Sequence, residues 1–378
     1  MPTWRYIEED GVTADFGLAA DEFLLRYYPA SAPTHDPTLR LYTYKSHCAL
    51  VGRFQNLEAE LNLQTCRELG VQFGRRPTGG GAILMGQDQL GLCFTAPANF
   101  DNQVANPLEI YRRFSAPVVQ ALAKLGIEAR FRPKNDLEVN GKKIAGLGVY
   151  YDPHGAMLFH TSLLVDLDVA LMLRLLRIPL EKFSDKPETN SVVQRVTTVA
   201  RELQRRISLS EVRQQVKQSF AAIFQTQLQP EPWSEEEKSQ IAKLAREKYS
   251  SDEWLLQRSP QPDMTGMSLK KTAAGLLRTY IGLKGEIIKH VLIAGDFFQH
   301  DDALTGIESR LKWSAFDKNA IAQRVHQAFS QNGHAPARCS PEDLVEAIWK
   351  AGVNARAKQR LTNKGSCYYP LSKTPAEI

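Results

Sequence analysis

A chain of 378 residues with 43% hydrophobic and 24% charged residues has the composition of a globular protein of two or three domains, and excludes a disordered or fibrous one. No run approaches the ~18 apolar residues of a membrane-spanning helix, and the opening stretch lacks the apolar core of a signal peptide, so a cytoplasmic protein with no membrane partner is expected. The net charge of +5 suits anionic small molecules or an acidic protein partner and falls short of a nucleic-acid footprint, while five cysteines without a CxxC pair argue against a disulfide framework or a zinc ribbon.

Apolar spacing predicts a helix from Ala14 to Tyr28, a loop with three prolines from Pro29 to Pro37, and strands over Leu39 to Tyr44 and Cys48 to Gly52. A helix over Ala59 to Leu69 ends at Gly70, a β-prone run covers Leu90 to Thr95, and a long helix over Asn106 to Leu125 ends at Gly126. Asn140-Gly141 then joins strands near Asp136 to Val139 and Lys143 to Tyr150, because asparagine and glycine tolerate the positive φ of a tight hairpin. A strand over Met157 to Val165 and a helix over Ser208 to Phe224 complete one mixed α/β unit, residues 1–225. Residues 226–261 read as a connecting helix and linker, with the helix over Glu235 to Tyr249. Residues 262–378 read as a smaller α+β domain. There Gly285 to Phe298 is a strand pair or long strand, Ala320 to Phe329 and Pro341 to Lys350 are helical, and Ser340 with Asp343 has the spacing of a capping box.

Three segments carry chemistry. In Arg75-Arg76-Pro77-Thr78-Gly79-Gly80-Gly81-Ala82-Ile83, three glycines let the backbone bend and approach a ligand closely, and turned N–H groups make an anion nest. The paired arginines add forked donors for phosphate or carboxylate. The bland alternative is a surface turn beside two solvated arginines. In Lys134-Asn135-Asp136-Leu137-Glu138-Val139-Asn140-Gly141-Lys142-Lys143-Ile144-Ala145-Gly146, the hairpin places Asn135 and Asp136 at the start of one strand and Lys143 on its partner, with small residues leaving room for a ligand. A lysine there can neutralise a carboxylate and a phosphate together, the requirement for joining them. Lys142, one residue earlier, takes the solvated role. The alternative is a surface hairpin with two solvated lysines. The third is Phe159-His160-Thr161-Ser162, where a lone histidine on a strand is either a satisfied core residue or a ligand contact.

In order along the chain, these segments and three more resemble the lipoate–protein ligase family, within the wider biotin/lipoate ligase group. The further three are Asp21-Glu22 on the first helix, Val51-Gly52-Arg53-Phe54-Gln55-Asn56, and Ser191-Val192-Val193-Gln194-Arg195-Val196-Thr197. The resemblance runs from about Thr13 to Thr198. A weaker likeness to the accessory domain of the larger ligases starts at Lys248-Tyr249-Ser250 and Glu253-Trp254, and continues through Gly285-Glu286-Ile287 to Gly295-Asp296-Phe297.

The resemblance implies an α+β fold, a central sheet flanked by helices, binding lipoate and ATP in one cleft of residues 1–225, with 262–378 as accessory domain. It implies activation of lipoate, and possible use of octanoate, as an acyl-AMP. Transfer would follow to a lysine of acceptor lipoyl domains of 2-oxoacid dehydrogenase complexes or of the glycine-cleavage H protein. Carried over residue by residue, Arg76, Gly79, Gly80, Gly81, Ala82, Ile83 and Leu84, with Asn135 and Asp136, would hold ATP or the adenylate, and Lys143 would be catalytic. Arg75, Gly146 and His160 would line the lipoate pocket, and Asp136 would hold Mg²⁺. Two departures stand out: Met85 where many relatives have histidine, and Gly148 where alanine is frequent. The rival on the same fold, an octanoyl or lipoyl transferase, needs a cysteine nucleophile just before the lysine strand, and that place reads Phe131-Arg132-Pro133-Lys134. The rival of another class is a non-catalytic lipoate- or nucleotide-binding protein.

Overall fold

Alternation of apolar and small or polar residues along its longer strands gives one wide sheet two different faces, and the site is built on one of them. The computed structural model describes residues 1–26, 37–100, 107–133, 135–179, 192–297, 301–331 and 339–364. The chain divides into two compact units, Met1–Gln257 and Arg258–Ile378.

In chain order the first unit runs β1 (Thr3–Val12), α1 (Ala14–Leu25), β2 (Thr38–Tyr44), β3 (Cys48–Val51), α2 (Leu57–Glu60), α3 (Leu63–Glu68), β4 (Gln72–Arg75), β5 (Ile83–Met85), β6 (Gln89–Pro97) and α4 (Pro107–Lys124). It continues with β7 (Arg130–Arg132), β8 (Asp136–Val139), β9 (Lys142–Tyr151), β10 (Ala156–Leu164), α5 (Val169–Leu175), α6 (Val199–Leu203), α7 (Leu209–Phe224), β11 (Gln227–Pro230), α8 (Glu235–Leu244) and α9 (Asp252–Leu255). The large sheet has the order β11-β1-β2-β6-β10-β9-β8-β7, and a small one the order β4-β3-β5.

One face of the large sheet presents Leu39, Leu41, Leu92, Phe94, Leu147, Val149 and Phe159, packed with Phe114 and Val118 of α4 and Val212 and Phe220 of α7. The other presents Tyr42, Cys93 and Leu158 to α1 and α8. Helices over one face and α1 with the small sheet over the other make the α+β sandwich expected.

Several boundaries differ from the sequence reading for identifiable reasons. The helix expected over Ala59 to Leu69 is two short ones, each started by an asparagine, Asn56 and Asn62, whose side chain accepts from a backbone N–H three residues on. Between them Leu61 leaves the helix and bridges to Leu176. The stretch set apart as a connection is built into the first unit: β11 lies parallel to β1, and α8 shares the apolar cluster of α1 through Ile241 and Leu244. Lys248, Tyr249 and Trp254, whose likeness was to the accessory domain, also fall within this unit. The proline loop, up to residue 36, and Lys134 and Ser191 lie outside the described residues.

The second unit contains β12 (Gly266–Lys271), β13 (Leu276–Lys284), β14 (Ile287–Gly295), α10 (Asp301–Leu311), β15 (Ser314–Ala315), α11 (Lys318–Gln331) and α12 (Pro341–Lys364). Its antiparallel sheet has the order β12-β13-β14-β15. Gly285 sits in the turn between β13 and β14, so the strand pair begins nine residues before the stretch that sequence marked. The Ser340–Asp343 capping box forms in both directions. No described helix is long and apolar enough to cross a membrane.

Candidate functional site

The site grows from the register of four strands. Pairing places Arg40, Cys93, His160 and Gly148 in one row across β2, β6, β10 and β9, and Tyr42, Gly91, Ser162 and Gly146 in the next. Both rows lie on the face opposite the α4–α7 core.

Simple alternation would point Lys143 away from Gly146. A bulge prevents this: Leu137 pairs with Ala145 but Glu138 with Lys143, so Ile144 is the extra residue. Ile144 and Ala145 both enter the core, and Lys143 turns onto the face of Gly146, the re-aiming that bulges perform. Its Nζ lies 2.9 Å from where a Cβ on Gly146 would be. It also pairs with Asp136 Oδ1 at 2.8 Å, while Arg132 holds the other oxygen. Burial opposes the charge of Asp136, but Lys143 and Arg132 prevail and hold its pKa below the usual range. Asn135 extends this strand pair, exchanging bonds with Leu147. On the far edge Thr197 N–H donates to the Lys143 carbonyl, bringing the end of the Val192–Thr197 motif against the lysine. Lys142 is exposed, as expected for the solvated member of the pair.

The glycine loop crosses above the other end of the row. Gly80 takes φ +96°, and its carbonyl lies 2.1 Å from the position a Cβ on Gly52 would occupy, so neither residue tolerates a side chain. Gly81 differs: nothing lies within 4 Å of its missing Cβ, so its side faces open space. Gly79 and Gly80 are buried, Ala82 and Ile83 half-buried, and Leu84 packs in the core. β5 is the edge strand of its sheet, so the backbone of Ile83 and Leu84 faces a strand on one side alone.

Arg76 shapes this loop. Nη1 donates to the Leu50 carbonyl and Nη2 to those of Gly79 and Gly81. Arg75 departs from the lipoate-pocket expectation. Its fully buried guanidinium donates to the carbonyls of Gly52, Arg53, Gln55, Trp254 and Leu255, and Trp254 Nε1 donates back to the Arg75 carbonyl. It braces the loop from behind.

His160 lies beneath the loop, with Nε2 3.2 Å from Thr78 Oγ1. Burial, helped by the nearby Arg76 charge, pushes its pKa down to about 3, so the ring is neutral. The ring rests on Gly148, whose Cβ would fall 2.0 Å from Nε2. The departure from alanine at that position is therefore coupled to this histidine's placement. Thr78, Gly52 and Trp254 stood within the sequence motifs without a role of their own, and the Ile144 bulge was missed. The signal for Gly52 was present in the Val51–Asn56 motif, and the others depend on register and on contacts far apart in sequence.

Asp136 does not suit a magnesium ligand, since both its oxygens are held by cations, and no three His, Cys, Asp or Glu gather among the described residues. A cleft of about 430 Å³ lined by Glu22, Arg26, Arg53, Pro77, Tyr150 and Lys248 opens at the Tyr150 end of β9. It adjoins the glycine loop through Pro77, at the end of β9 away from Lys143.

The arrangement combines an open glycine turn, a lysine over small residues and a neutral histidine on one sheet face. The lipoyl protein ligase A/B catalytic domain family matches residues 13–221, and the bacterial lipoate protein ligase C-terminus matches residues 261–348. Octanoyltransferase LipM of Bacillus subtilis is 28% identical over 67% of this chain and 97% of its own length. Lipoate-protein ligase LplJ of the same organism is 26% identical over 88% of this chain and 96% of its own. Among solved structures, a bi-partite lipoate protein ligase of Thermoplasma acidophilum, reported with its E2 lipoyl domain, is 27% identical with TM-score 0.59, covering 69% of this chain and 98% of that one. A lipoate-protein ligase A bound with ATP is 25% identical with TM-score 0.57, covering 68% and 98%. With more than half of its length matched to the catalytic domain and a second match in the C-terminal unit, the chain belongs to the lipoyl protein ligase A/B family.

Proposed function

We propose that this family member is the ATP-dependent ligase: it activates lipoate as lipoyl-AMP and passes the lipoyl group to a lysine of an acceptor lipoyl domain. The observation that carries the choice of ligase over transferase is the lack of a cysteine at the lysine strand. The sequence has no cysteine between Cys93 and Cys339, the interval that contains the lysine strand. Cys48, Cys66, Cys93 and Cys339 are all buried, and burial raises each thiol's pKa, the reverse of an activated thiolate. The match of residues 261–348 to the ligase C-terminus, and the longer coverage by LplJ than by LipM, support the same choice.

In this reading ATP is a co-substrate. A carboxylate oxygen of lipoate attacks the α-phosphorus and pyrophosphate leaves. The acceptor amine then attacks the acyl carbon and AMP leaves. Lys143 stands over Gly146 where the two anions must meet, and its charge offsets their repulsion. Asp136 orients that ammonium and Asn135 fixes the strand pair beneath it. Gly81, Ala82, Ile83 and Leu84 give the nucleotide open space and backbone donors, held in shape by Arg76. His160, neutral, offers a ring face and no competing charge to the acyl chain. Any Mg²⁺ arrives on the nucleotide. The lipoyl domain reported with the archaeal relative supports an acceptor of that class, such as those of 2-oxoacid dehydrogenases or the H protein.

Pyrophosphate exchange into ATP, with and without lipoate, tests this directly. Lipoate-dependent exchange is expected. Absence of exchange, together with acyl transfer from an octanoyl thioester without ATP, would overturn it in favour of the transferase.

A further inference from the structure

The chain between the two family matches, 13–221 and 261–348, plays no part in the reaction above, yet it grips the glycine loop. Residues Ala245–Tyr249 make one wide π-turn, a rare geometry that recurs at functional sites. It presents two successive side chains to one carboxylate: Glu22 of α1 accepts from Lys248 Nζ at 2.5 Å and from Tyr249 Oη at 2.7 Å. Ser250 then donates to Asp15, and Ser251 caps α9. With its start tied to α1, this segment brings Trp254 to the loop. Trp254 Nε1 donates to the Arg75 carbonyl at 3.0 Å, and Arg75 Nε returns a bond to the Trp254 carbonyl at 2.9 Å. The Trp254 ring packs on Tyr249 and lies within cation–π range of Lys248 and Arg53.

Arg75 passes this hold on. The same guanidinium gathers the carbonyls of Gly52, Arg53 and Gln55, and that turn touches the loop. The Arg53 N–H donates to the Thr78 carbonyl, and Gly52 abuts the Gly80 carbonyl. Packing alone does not fix the loop on this flank. Pro77 lines the cleft that Glu22 and Lys248 also line, so the loop borders open space there rather than core.

We propose that Trp254 is a positioning residue: through Arg75 it holds the glycine loop in the shape that receives the nucleotide, without touching substrate. The inference rests on the ligase reading, in which Gly81 to Leu84 meet ATP. A loop released from Trp254 keeps its Arg76 bonds but samples more conformations, and part of the binding energy of ATP then goes into ordering it. The effect falls on ATP affinity. Lys143, on β9, still meets the acid, and chemistry proceeds once both substrates are bound.

The test is Trp254→Phe in the full-length protein, which removes the N–H and keeps an aromatic ring. Calorimetry and lipoate-dependent pyrophosphate exchange should show the Kd and KM for ATP raised about fivefold to tenfold, the effect of one net hydrogen bond. The kcat and the KM for lipoate should stay within about twofold of the parent. Trp233 is the control: it is buried too, but its Nε1 has no hydrogen-bond partner, so Trp233→Phe should lower the melting temperature and leave ATP binding unchanged. If Trp254→Phe does not fold, Ser251→Ala uncaps α9 at a half-exposed position and should raise the ATP constants in the same sense; unchanged ATP affinity there counts equally against the proposal. A folded Trp254→Phe that binds ATP like the parent overturns this inference and leaves the ligase reading intact. So does a change in kcat and lipoate KM as large as that in ATP KM, or an equal loss of ATP affinity in Trp233→Phe. A parent that binds no ATP overturns both.

Discussion

Replacing Lys143 by alanine separates its two roles, because the structure lets each be sized. The ammonium lies 2.8 Å from Asp136 Oδ1, and its side chain is 28% exposed. At an effective dielectric of 20, that contact has about 6 kcal/mol of Coulomb attraction before desolvation and side-chain ordering are charged against it. The net for a partly exposed pair is about 1 kcal/mol or less. Asp136 also keeps Arg132, so its carboxylate is not left without a cation. The variant should therefore fold, with a melting temperature only a few degrees lower. The loss to chemistry is larger. One donor aimed at developing charge in a water-poor site is worth roughly 3–4 kcal/mol, a fall of about two to three orders of magnitude in rate. The assay is acyl-AMP formation in a single turnover, with melting followed on the same preparation and Lys142→Ala as control. Activity within about tenfold of the parent in a folded variant refutes the role given to Lys143. So does an equal loss in the control.

Gly81→Val should leave stability nearly unchanged, because its side faces open space, yet weaken nucleotide binding sharply in calorimetry; Gly80→Val, at φ +96°, should instead lower the melting temperature. Cys93→Ala should retain ligase activity, and loss of activity in a folded variant would restore the covalent transferase as the better reading. His160 gives a pH signature. Its native pKa is pushed to about 3, below the value near 6.5 of an unfolded chain, so the unfolded state binds one more proton between those limits. Stability contributed by this group therefore falls as pH drops from about 6.5 towards 3, and denaturant titrations of His160→Gln should show a shallower fall than the parent. Parallel curves would show that the imidazole takes up its proton without unfolding.

Much of this was legible in the sequence, and what was not has a physical cause. The Asn140-Gly141 hairpin was readable because its two positive φ values demand those residues. The glycine loop and the lysine strand stood out because both are short-range patterns. The facing of Lys143 was not readable: strict alternation puts it on the opposite face from Gly146, and only the bulge at Ile144 reverses that. Arg75 and Arg76 look alike as neighbours in sequence, yet one braces the loop from behind and the other shapes its carbonyls, a division fixed by residues as distant as Leu255. The stretch after 225 was read as connection because prolines and charges dominate it; its strand is only four residues long and recognisable by its partner β1 alone.

The bond from Arg75 to the Leu255 carbonyl spans 180 residues, and that from Thr226 to Pro2 spans 224. A ribosome releases the chain from its N-terminus at about 5–20 residues per second, so the first strand and the glycine loop wait many seconds for the partners that complete them. During that interval β1 has no β11 along its outer edge, and the carbonyls of Trp254 and Leu255 have yet to reach Arg75. The nascent unit is thus exposed for longest at the edge and the loop it later needs. Arrest of translation between residues 221 and 255 should leave a chain that chaperones hold and proteases cut near residue 80, whereas arrest well beyond residue 257 should protect the loop, even though every residue of the 13–221 family match is already present in both.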